Sequence, residues 1–137
     1  MKKEKIHIIT IPVPLYRMSV VIFIGGGVDD FVKHGLTHHI TKDYFTEEWK
    51  KWVKEHLDGL GLMADYGQGS SDVLVWLKVR PDRVSNFAVL YHELYHAVDQ
   101  ISKSRGFDNK TSENCEPRAY LFEYLFTEAS KVLWKIK

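Results

Sequence analysis

Five consecutive residues carry the most specific chemistry in this chain: His92-Glu93-Leu94-Tyr95-His96. Residues four apart are neighbours on one face of a helix, so two imidazoles at this spacing can reach a single ion. Glu93 sits one step round from that face, where its carboxylate can meet a metal-bound water. Zinc takes such nitrogen and oxygen ligands and, in enzymes, keeps one position open. The residue types therefore point to a metal-activated water with Glu93 taking its proton.

That chemistry needs a helix under it, and the surrounding pattern supplies one. Phe87, Leu90, Tyr91, Leu94, Val98 and Ile101 form an apolar stripe over residues 84–103, with Gly106 as the stop. Pro81 and Asp82 separate this helix from residues 73–79, the clearest strand. There Val73, Val75, Leu77 and Val79 alternate with Leu74, Trp76 and Lys78. A last helix is expected from about residue 115 to 135, with Asn114 as cap and Pro117 in its first turn.

The first half of the chain reads as support. Residues 6–11 form a strand closed by Pro12 and Pro14, and residues 16–24 form a second strand ended by Gly25-Gly26-Gly27. The glycine run lacks the lysine and spacing of a phosphate loop and reads as a turn. A short amphipathic segment over residues 31–40 follows. A helix over residues 46–57 is capped by Thr46 and ended by Gly59 and Gly61. Residues 62–66 read as a strand and residues 67–71 as a turn. Strands, helix, hairpin strands, long helix, loop and helix make an α+β order.

Other reactive residues read more simply. His34 and His38 share the four-residue spacing, with His39 adjoining, but Gly35 weakens a helix there and no acid lies between them. Trp49, Trp52, Tyr120, Phe122, Tyr124 and Phe126 occur at helical spacing among aliphatics and read as core, not as a stacking platform for bases. Asp99, three residues after His96, is either an orienting partner for an imidazole or a surface charge.

Composition bounds the rest. The 137 residues suit one domain, 1–137. Nineteen basic against eighteen acidic residues give a net charge of +1, which argues against a nucleic-acid binder. Cys115 is the only cysteine, so no intrachain disulfide can form. The basic start precedes a short apolar run broken by His7, Pro12 and Pro14, so no signal peptide is read and a cytoplasmic location is expected. No apolar stretch is long enough to span a bilayer, so no membrane partner is expected.

The stretch Val89-Leu90-Tyr91-His92-Glu93-Leu94-Tyr95-His96-Ala97-Val98 resembles the active-site helix of zincin metallopeptidases. The segment Glu113-Asn114-Cys115-Glu116-Pro117-Arg118-Ala119-Tyr120 resembles the glutamate helix of the gluzincin branch. The resemblance covers about residues 73–128. It implies a zincin-like domain, with a small, mostly antiparallel sheet packed on the motif helix and on a C-terminal glutamate-bearing helix. It also implies zinc held by His92, His96 and a glutamate early in the next helix. Glu116, in an E-x-x-A setting, fits that third position, with Glu113 second; Glu123 lies seven residues after Glu116 on the same face. The metzincin continuation fails, because Asp99 and Ser102 stand where it needs glycine and histidine.

The implied activity is hydrolysis of a peptide bond in a peptide or protein substrate. Glu93 would act as general base, Tyr91, Tyr95 or Tyr120 would assist the oxyanion, and a strand such as residues 73–79 would pair with the substrate by edge addition. Two rivals remain. One is a zincin-like regulatory or protein-binding module with bound metal and no turnover; the other is a closed structural zinc site drawing on Cys115.

Overall fold

The computed structural model describes residues 5–38, 51, 53, 55, 61–65, 72–107 and 112–135. Its elements are strand β1 (His7–Val13), a 3-10 turn (Pro14–Tyr16), β2 (Met18–Ile24), α1 (Val28–His38), β3 (Gly61–Asp65), β4 (Val73–Leu77), α2 (Val84–Arg105) and α3 (Ser112–Lys135). The strands form one sheet in the order β1-β2-β4-β3. The outer pairings, β1 with β2 and β3 with β4, are antiparallel, and the inner pairing of β2 with β4 is parallel. The fold is α+β on a mixed sheet.

The burial of each strand follows from its place. β1 lies at an edge with one solvated face, so Ile9, Ile11 and Val13 are buried while Ile8, Thr10 and Pro12 are exposed. The inner strands are covered on both faces. Val20 to Ile24 and Val73 to Leu77 are accordingly buried without interruption. Pro12 is tolerated within β1 because an edge strand needs ladder bonds on one side only. Its carbonyl accepts a hydrogen bond from the Tyr124 hydroxyl of α3.

One sheet face packs on α2 and α3. Ile9, Ile11, Val20, Ile22, Ile24, Val73, Val75 and Leu77 meet Leu90, Leu94, Ala97, Val98 and Ile101 of α2, and Leu121, Leu125, Ala129 and Leu133 of α3. The opposite face receives α1, where Phe31 sits edge-on to Phe23 at 5.9 Å between ring centroids. The glycine turn makes the entry to α1. Gly25 and Gly26 have φ of 84° and 67°, and the Gly27 amide donates to Asp30 Oδ2 at 3.0 Å. That bond satisfies an amide at the helix start that would otherwise lack a partner.

Several expectations shift. The strand expected over residues 73–79 ends at Leu77, and Val79 is exposed. It is also a central strand, flanked by β2 and β3. Both of its hydrogen-bonding edges are used, so it cannot take a substrate by edge addition; β3, not β4, is the edge strand beside α2. Helix α3 starts at Ser112, so Asn114 lies inside it and is not its cap, and Pro117 falls beyond its first turn. Tyr120 and Tyr124 are exposed, whereas Phe122 and Phe126 pack partly against the core. Thr46, Trp49, Trp52, His39 and the turn over residues 67–71 lie outside the described residues. Within the helix expected over 46–57, Lys51, Val53 and Glu55 are helical.

Candidate metal centre

Helix α2 places the motif. Its apolar positions Leu90, Leu94, Ala97, Val98 and Ile101 are buried against the sheet. Successive residues step about 100° round the axis, so this anchoring turns His92 and His96 outward, and both are exposed. The helix runs 22 residues and ends at Gly106. Gly106 takes a left-handed φ of 78°, and its amide donates to the Ser102 carbonyl. The motif therefore sits mid-helix, away from fraying ends.

The two imidazoles meet. Nε2 of His92 and Nε2 of His96 lie 3.1 Å apart, with ring centroids 4.7 Å apart and planes at 79°. Two nitrogens bound to one tetrahedral zinc at about 2.0–2.1 Å stand about 3.3 Å from each other. The pair thus presents two nitrogens at close to the separation one zinc requires. In the metal-free chain the same nitrogens can share one proton as a hydrogen bond, its direction set by tautomer.

Glu93 turns to the other flank of the helix and is buried, with 7% of its surface exposed. Beside it runs the first residue of β3. A β-carbon built on Gly61 would lie 3.0 Å from Glu93 Cγ, 3.3 Å from Glu93 Oε1 and 3.0 Å from Val89 Cγ1. The carboxylate is thus held in the angle between α2 and the edge strand.

The opposite flank of α2 faces α3. Tyr91 packs edge-on to Phe122 at 4.4 Å and to Phe126 at 6.3 Å. Asp99 accepts from Lys103 at 3.0 Å and from Arg118 at 3.4 Å. The hydrogen bond from Lys103 is the largest influence on the Asp99 carboxyl; burial opposes it, and the Lys103 charge and the Arg118 contacts add to it, so its pKa is lowered. Asp99 thus works as a tie between the two helices. Tyr95 is exposed beside His96, with ring centroids 6.3 Å apart.

The sequence motif is therefore brought together in part. His92 and His96 converge and Glu93 is held close by, whereas Glu116, Glu113 and Glu123 are exposed on α3. Among the described residues, no group of three His, Cys, Asp or Glu side chains stands close enough to hold a metal ion. Cys115 is exposed on α3 and joins no such group. His34 packs against Phe23 at 5.5 Å, apart from the motif. The residue that sequence reasoning missed is Gly61, read there as a helix stop. Its signal was present, because a glycine opening a strand marks close backbone approach.

No family model, curated protein or solved structure matches this chain. Among the described residues, no helix is long and apolar enough to cross a membrane.

Proposed function

We propose that the chain is a zinc-dependent metallopeptidase of zincin-like, gluzincin-like type, with His92, His96 and Glu116 as metal ligands and Glu93 as general base. The observation that carries this reading is the 3.1 Å approach of the two Nε2 atoms beside a buried carboxylate on the same helix. Chance placement of two histidines does not require their ligating nitrogens to converge. The donor set of two imidazoles and a carboxylate leaves the fourth position of a tetrahedral ion open, as a catalytic zinc requires.

When bound, zinc would polarise the scissile carbonyl and make water acidic enough to attack near neutral pH. Glu93 would take the proton of the attacking water and hand it to the leaving amine. Its place between α2 and β3 restricts its rotamers, so the base is held for the reaction instead of searching for it. β3 supplies a strand edge next to the site. The proposed substrate is a peptide or protein segment.

One observation favours a second reading, a metal-carrying regulatory or protein-binding module without turnover: both histidines are exposed, and among the described residues no third ligand stands with them. One experiment separates the two. After reconstitution, elemental analysis should find about one zinc per chain, and His92→Ala should lose it. Glu93→Gln is nearly isosteric and should keep both fold and zinc. It should lower hydrolysis by about a hundred- to ten-thousand-fold, assayed first as self-cleavage, then on denatured proteins and a peptide library. A chain that takes up zinc and cleaves nothing is the module. Glu93→Gln turning over like the wild type removes Glu93 from the mechanism.

A further inference from the structure

Gly61 has no conformational reason to be glycine. Its φ lies outside the left-handed region occupied by Gly25, Gly26 and Gly106, and it pairs with Leu77 in an ordinary antiparallel register. Any residue could adopt that backbone. Space is what singles it out. A β-carbon there would stand 3.0 Å from both Glu93 Cγ and Val89 Cγ1, tighter than carbon atoms ordinarily pack. Val89 and Glu93 are four apart on α2, so they form one ridge, and β3 closes onto that ridge because residue 61 has no side chain.

We infer that Gly61 is a positioning residue for Glu93: its missing side chain opens the slot that holds the carboxylate between α2 and the edge strand. The catalytic part of this inference rests on the metallopeptidase reading; the slot itself does not. A methyl group added at residue 61 must displace something. The β4 pairing holds β3 on its other side. Val89 is β-branched and stiff about its first side-chain torsion, and the notch it lines with Leu77, Val79 and Asn86 is too small to admit a water molecule, so it has little room to yield. Glu93 is unbranched and has more side-chain torsions than Val89 through which to yield. Gly61→Ala therefore displaces the Glu93 side chain from its seat in the slot, by a few tenths of an ångström at the least, while leaving the exposed His92 and His96 in place.

Two measurements test this, one of which needs no activity. In a double-mutant cycle on melting temperature, Gly61→Ala should destabilise the wild type. It should cost much less in a Glu93→Ala, Val89→Ala background, where the atoms it meets are gone. Additive effects would overturn the slot. A crystal structure of Gly61→Ala with Glu93 unmoved would overturn it too.

In the zinc-loaded enzyme, Gly61→Ala should keep one zinc per chain and lower kcat by a hundredfold or more, with KM little changed. Within the Val89→Ala background, Gly61→Ala should cost less melting temperature than in the wild type but lower kcat as much, because the Glu93 contact persists. Relief of both losses together would make Gly61 a packing residue and refute the positioning role. If the wild type takes up zinc and hydrolyses nothing, the metallopeptidase reading fails while the double-mutant cycle still decides the slot.

Discussion

On the proposed reading, a third metal ligand from α3 would have to reach the outward face of α2, and the way the helices pair limits the choice. Tyr91 meets Phe122, and Asp99 meets Arg118, so the helices run antiparallel, higher numbers on one facing lower numbers on the other. Glu123 then stands level with His92, while Glu116 lies beyond Arg118, about a turn past the height of His96. The E-x-x-A setting supports Glu116; the helix register offers Glu123. Glu116→Gln is expected to weaken zinc binding by more than about tenfold, with Glu113→Gln and Glu123→Gln near wild type, read by competition against a zinc chelator. A loss confined to Glu123→Gln would move the ligand two turns along α3. Asp99 supports a prediction in pH. Lys103 and Arg118 lower its pKa, so the folded chain binds the Asp99 proton less readily than the unfolded chain does. Its contribution is full above the ordinary carboxylate value of about 3.9 and is lost as the pH falls through the lowered folded value. Its side chain is about one-third exposed (32%), so Asp99→Asn should cost on the order of 1 kcal/mol or less at neutral pH. That difference should shrink as the pH falls through the lowered folded value, measured by urea unfolding across the acid range.

At the scale of elements, what was legible depended on whether the deciding contact was local. The motif helix was readable because its apolar stripe and its Gly106 stop are written into neighbouring residues, and α2 runs from Val84 to Arg105 as that pattern implies. The strand over Val73–Leu77 was readable for the same reason. Its central place in the sheet was not. Whether a strand is central or at an edge depends on β2 and β3, which are far apart in sequence, and a continuously apolar run fits a strand buried on both faces. Pro12 shows the converse error: proline closes a strand only where its amide is needed, and β1 is an edge. Asn114 suggested a cap by type, but the helix begins at Ser112. Gly61 was read as a helix stop because a missing side chain looks the same in sequence whether it frees the backbone or makes room for Glu93. The histidine pair was legible from spacing alone, since i and i+4 geometry is local; how the glutamates of α3 stand to that pair is not local, and no spacing within one helix could give it.

The whole molecule is organised around one sheet with both faces covered, and this predicts how it unfolds and how metal should act on it. Phe23 points from β2 to the α1 side, while Leu94 of α2 is buried against the other face. Phe23→Ala and Leu94→Ala should cost about 3–5 and 2–5 kcal/mol respectively. Because both packings rest on the same strands, neither layer should melt alone. Tryptophan fluorescence, to which Trp76 buried in β4 contributes, and far-ultraviolet dichroism should report one coincident transition for the wild type and both variants. Two separated transitions would mean that the α1 layer folds independently of α2 and α3. Zinc enters the same equilibrium. A ligand that binds only the folded chain stabilises it by about 2.7 kcal/mol at a hundred times its Kd, a rise in melting temperature of roughly 10 °C for a chain of this size. His92 is exposed, so His92→Ala should barely change the melting temperature without metal. It should remove the zinc-dependent rise almost entirely, because one of the two converging nitrogens is gone. Equal zinc-dependent rises in the wild type and in His92→Ala would place the bound metal elsewhere on the chain and end the assignment of His92 as a ligand.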